Sequence, residues 1–113
     1  MGTVDRVLPW RRHSPPPADE VAPLISSFRT RHPKAATGQI VRAYEVAADA
    51  HRNQFRNSGE RYINHPLSVA RIVADIGLDD TTIAAALLHD AVEDTDVTLG
   101  DLEEEFGSDV TAI

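Results

Sequence analysis

The 113-residue sequence contains no cysteine. Disulfides and thiolate metal sites are therefore excluded, and any metal must be held by nitrogen and oxygen donors. Aromatic residues are few, with one Trp, two Tyr and three Phe, so the core must be built from aliphatic side chains. No apolar run approaches the ~20 residues that span a bilayer. The first residues, MGTVDRVLPWRRHSPPP, lack the continuous apolar stretch of a signal peptide. The chain opens Met-Gly, but Arg6 stands where a myristoylation motif requires Ser or Thr. A cytoplasmic protein with no membrane partner is the default expectation. Positive charge is also short, with a formal net charge of −7. That disfavours nucleic-acid binding, which rests on basic patches that neutralise phosphates.

The charge that is present is uneven. Residues 1–34 carry six Lys/Arg against three Asp/Glu, and residues 35–113 carry five against fifteen. Residues 1–17 read as a disordered, basic, proline-rich leader, with Pro15, Pro16 and Pro17 favouring extended polyproline II structure. Residues 18–113 read as the folded part. Apolar residues recur at three and four from Ala18 to about Arg31, and again from Thr37 to about His51, which predicts two helices. His51 reads as a dipole partner at its helix end. Residues 52–64, RNQFRNSGERYIN, break the pattern and read as an arginine-bearing loop, in which Tyr62 is either packing or pocket support. HPLSVARIVADIG predicts a third helix from His65-Pro66 to Gly77, its apolar face formed by Leu67, Val69, Ala70, Ile72, Val73 and Ile76. Asp80 is expected to cap a fourth helix through Asp94, and Thr98 a fifth, with Asp101 completing a weak capping box. Ser108-Asp109 starts a sixth helix that has barely begun at Ile113, so a piece of a longer protein is expected. No stretch alternates as a strand does, and the predicted class is all-α, with five to six helices and antiparallel neighbours.

The fourth helix, DTTIAAALLHDAVED, carries the chemistry. Advancing ~100° per residue, His89, Glu93, Asp90 and Asp94 fall within about 140° of one another, with aliphatic residues over most of the other side. Like charges three and four apart repel, so a cation is the simplest reason to gather them. A solvated acidic helix end is the competing reading. His65 tips the balance, because two antiparallel helices of nearly equal length place residue 65 beside residues 89 and 90. His65, His89 and Asp90 then offer two imidazoles and a carboxylate, a set suited to Mn, Fe or Zn rather than Ca.

The blocks RNSGERYINHP, LLHDAVEDT and TLGDLEEEFG resemble the hydrolase domain of RelA/SpoT homologues, the bifunctional synthetase/hydrolases of (p)ppGpp. The resemblance runs from about Arg31 to Ile113. It implies an HD-domain helical bundle in which His65, His89 and Asp90 bind a metal, Mn²⁺ or another divalent ion. It assigns Glu93 and Asp94 to the attacking water, and Arg56, Asn57 and Ser58 to the guanosine nucleotide. The implied reaction removes the 3′-diphosphate, giving pyrophosphate and GDP or GTP. It further implies a downstream aspartate ligand, a GTP pyrophosphokinase domain and a ribosome-associated parent, all beyond residue 113. The family usually has lysine where Asn57 stands, which bears on nucleotide affinity. Two other readings stay open: an HD phosphohydrolase for another nucleotide, and a non-catalytic helical module.

Overall fold

A computed structural model describes residues 8, 10, 16 and 18–113. Six α-helices follow one another among the described residues: α1 (Ala22–Arg31), α2 (Gly38–Ala50), α3 (Asn64–Ile76), α4 (Asp80–Asp94), α5 (Leu99–Phe106) and α6 (Ser108–Thr111). No strand is present among the described residues, and the all-α expectation holds. The single departure is an isolated antiparallel bridge between Phe55 and Arg61.

Local chemistry sets most boundaries. The helix expected from Ala18 is interrupted: Ala18–Glu20 is a 3₁₀ turn, and α1 begins at Ala22. Pro23 lies at the start of α1, where its missing N–H leaves no broken helical bond. Gly77 closes α3 in the left-handed region at φ 97°. There its N–H donates to Ala74 O and that of Leu78 to Val73 O, the paired bonds of a Schellman ending. The cap of α4 is Asp79, not Asp80. Asp79 is extended, and its Oδ1 accepts from the Thr82 N–H at 2.9 Å. The cap's side chain must reach the third helical N–H, and residue 79 is the one in register with Thr82. The capping box of α5 forms as expected, with Asp101 N–H donating to Thr98 Oγ1 at 3.1 Å and Thr98 N–H to Asp101 Oδ2 at 3.0 Å. Thr37 occupies the cap of α2 but makes no side-chain bond there.

The core forms around α4. Its Ile83, Ala84, Leu87, Leu88 and Ala91 are buried and pack with α2 and α3. From α2 come Ile40, Ala43, Tyr44, Val46 and Ala47, and from α1 Leu24 and Phe28. The expected apolar face of α3 is corrected. Pro66, Ala70 and Ala74 are its fully buried residues, whereas Ile72 and Ile76 are 61% and 65% exposed. At ~100° per residue Ile72 and Ile76 lie ~200° and ~240° round from Ala70, on the face opposite the core. The reading of residues 1–17 as a leader falls mostly outside the described residues. Of those described, Leu8 is buried and Trp10 packs against the core.

The segment between α2 and α3 is more ordered than a plain loop. Arg56 N–H donates to Glu60 O and Gly59 N–H to Arg56 O, both at 2.8 Å, and Tyr62 N–H donates to Gln54 O at 2.9 Å. Gly59 supplies the positive φ of 89° that this turn requires. Glu20 anchors its returning arm, accepting from the Arg61 guanidinium and the Tyr44 hydroxyl, each at 2.6 Å. Arg61 is thus paired with an acid.

Candidate metal centre

Three carboxylate and imidazole groups converge where α4 runs out of core. His89, Asp90 and Glu93 each offer one ligand atom, all within 4.8 Å of one another. The helix explains the grouping: residues 89, 90 and 93 occupy adjacent positions across one turn. His89 and Glu93 are exposed and Asp90 is partly buried. The first turn of α3 lies beside this end, so α3 and α4 run antiparallel as expected. His65 Nε2 stands 3.7 Å from Asp90 Oδ2, their side chains 42% and 19% exposed.

That spacing is too long for a hydrogen bond but suits two donors turned towards one ion, since ligands held at ~2.1 Å are at most ~4.2 Å apart. The donors are all nitrogen and oxygen, and the exposed side leaves room for water and substrate. The residues present therefore fit a divalent ion. The expected trio is brought together in part. The compact set contains Glu93, which was assigned to water, while His65 faces that set at Asp90. Asp94, the other residue assigned to water, is exposed and lies outside the compact set.

Arg56, Asn57 and Ser58 are exposed in the turn ahead of α3. Among the described residues, neither a hydrogen bond nor an ion pair joins them to His65, His89, Asp90 or Glu93. The link runs through neighbours of theirs that the sequence left open. Tyr62 donates its hydroxyl to Asp90 Oδ2 at 3.0 Å. Partial burial pushes this phenol's pKa up, and the hydrogen bond to Asp90 and the negative charges of Asp90 and Asp94 push it further, so it stays a neutral donor. Gln54 donates its amide to Asp94 O at 3.1 Å. His51, expected as a helix-end dipole partner, is buried. Its Nδ1 meets Gln54 Oε1 in a short contact, and its ring packs against Tyr62 with centroids 4.7 Å apart. Tyr62 sits three residues before His65 at a helix entry, a spacing that could have flagged it. A groove lined by Ala85, Leu88, Val92, Leu102 and Val110 opens beside His89 and Glu93.

Comparison with known proteins shows what the chain as a whole is similar to. The family described as HD domain matches residues 43–113. The chain is 52% identical over 88 residues to a probable GTP pyrophosphokinase of Mycobacterium leprae, covering 78% of this chain and 11% of that protein. It is 56% identical over 71 residues to the guanosine-3′,5′-bis(diphosphate) 3′-pyrophosphohydrolase of Vibrio cholerae, covering 63% and 10%. It is 47% identical over 90 residues to the bifunctional (p)ppGpp synthase/hydrolase SpoT of Escherichia coli, covering 80% and 13%. The chain spans about a tenth of the length of the curated relatives it matches.

Proposed function

The chain belongs to the HD domain family, and from that premise we propose that it forms most of a Mn²⁺-dependent site that removes the 3′-diphosphate of guanosine tetra- and pentaphosphate. The products are pyrophosphate and GDP or GTP. The observation that carries the reading is the compact His89–Asp90–Glu93 set with His65 facing it, in a chain whose relatives include a 3′-pyrophosphohydrolase. His65, His89 and Asp90 would hold the ion, with Glu93 beside them on the same helix turn. A divalent ion there supplies Lewis acidity, acidifying water and offsetting diphosphate charge.

The chain's own side chains do the rest. Glu93, with Asp94 one residue on, accepts the proton of the attacking water. As that water's oxygen bonds to phosphorus, the ester P–O bond breaks and the 3′-oxygen leaves to take up a proton. Arg56 supplies positive charge for a highly anionic nucleotide, and its guanidinium plane can stack on the base. Asn57 and Ser58 offer hydrogen bonds without charge. The whole protein, acting in the cytoplasm, is proposed also to carry a GTP pyrophosphokinase domain. The test is hydrolysis of guanosine tetraphosphate by the intact protein and by its His89→Ala and Asp90→Ala variants. Undiminished turnover by both variants rules this site out. Faster hydrolysis of an ordinary nucleoside triphosphate than of the 3′-diphosphate moves the reading to another nucleotide.

A further inference from the structure

We infer that Tyr62 is a positioning residue for the metal centre: its hydroxyl fixes Asp90 in its ligating orientation and couples that carboxylate to the nucleotide-binding turn. The inference rests on the metal reading above and extends it to a residue that reading does not use. An aspartate on an exposed helix end rotates freely about its terminal torsion, which has broad minima. In this structure Asp90 is not free. Its Oδ2 accepts from Tyr62 at 3.0 Å, on the same oxygen that His65 Nε2 faces at 3.7 Å.

Tyr62 is itself held at several points. Its ring leans on buried His51, with centroids 4.7 Å apart and planes at 38°. It pairs with the ring of His65 in a T-shaped contact, centroids 6.0 Å apart and planes at 64°. Its backbone N–H is bonded to Gln54 O at 2.9 Å, and the Gln54 side chain reaches back to Asp94 O at 3.1 Å. One side chain thus touches two prospective ligands from a fixed base. That base belongs to the same turn that displays Arg56, Asn57 and Ser58. A ligand whose orientation is set by a hydrogen bond loses less freedom when it binds, so outer partners of this kind govern metal affinity.

The test is a Mn²⁺ titration of the intact wild-type protein and of Tyr62→Phe, read by loss of the free aquo-ion's paramagnetic resonance signal. Unfolding of both proteins in EDTA is measured alongside. Tyr62→Phe keeps the ring and its packing and removes the hydroxyl alone. Its dissociation constant for Mn²⁺ is expected to rise about tenfold, the low end of outer-partner losses, with the unfolding midpoint in EDTA close to wild type. Equal Mn²⁺ affinity in both proteins overturns the inference and leaves the metal reading standing. Lower metal-free stability with unchanged affinity also overturns it and makes Tyr62 a packing residue. No Mn²⁺ binding by the wild-type protein defeats the metal reading, and this inference with it.

Discussion

The two sides of α4 obey opposite rules. On one side Ile83, Ala84, Leu87, Leu88 and Ala91 are buried among α2 and α3, and each apolar Å² removed from water contributes roughly 25 cal/mol. On the other side His89 and Glu93 are exposed, with Asp90 partly so. There the carboxylates of Asp90 and Asp94, one turn apart, cost a few tenths of a kcal/mol by repulsion. A single helix therefore separates the side that stabilises the fold from the side that carries the candidate site. The dry side fixes where the wet side stands, and the wet side can hold a locally unfavourable cluster because the dry side tolerates the cost.

The sharpest way to break this division is to exchange its consequences. Leu87→Ala, at a position with no exposure, should lower unfolding free energy by about 2–5 kcal/mol in a urea titration. Asp90→Ala should reduce hydrolysis of guanosine tetraphosphate by at least about a hundredfold, beyond the loss seen for outer partners. Its unfolding free energy in the urea titration should fall by only about 1 kcal/mol, the usual worth of one hydrogen bond such as that from Tyr62. If Asp90→Ala unfolds as readily as Leu87→Ala, the two sides are not independent.

Smaller effects belong to the start of the helix. Asp79→Ala removes the cap of α4 and should cost about 1 kcal/mol, read in the same titration, with Mn²⁺ affinity at the far end unchanged. The finest test is pH. Hydrogen bonds from the Thr82 side chain and its backbone N–H hold the Asp79 carboxyl below its ordinary 3.8. A depressed pKa means that this contribution is fully present above that ordinary value and is lost as pH falls through the folded value. Asp79→Asn keeps a capping oxygen but cannot titrate. Its stability should therefore fall less steeply than wild type over that acid range, as followed by thermal unfolding at stepped pH.

Much of the molecule was legible beforehand because its signals are local. Periodicity announced the helices, and Thr98 with Asp101 announced a capping box that the structure contains. Three readings fell short. Asp79 and Asp80 are neighbours of equal capping chemistry, and only the register to Thr82 chooses between them. Ile72 and Ile76 were read onto the apolar face of α3 yet face outward: at ~100° per residue they lie ~200° and ~240° round from buried Ala70, which spacing by threes obscured. Tyr62 was ambiguous between packing and pocket, since nothing along the chain connects residue 62 to residue 90.

The sequence by itself determined the inventory: an all-helical chain without thiolates, and a helix whose last turns gather a histidine and three carboxylates. Those follow from residue type and from a 3.6-residue repeat, which act over a few positions. Tertiary structure alone decided which atoms meet. It set Tyr62 and His65 against Asp90 and tied the turn that bears Arg56 to the end of α4 through Gln54. Such pairings join residues 28 and 40 positions apart. They depend on how closely helices pack and how they rotate about their axes, which no local pattern encodes.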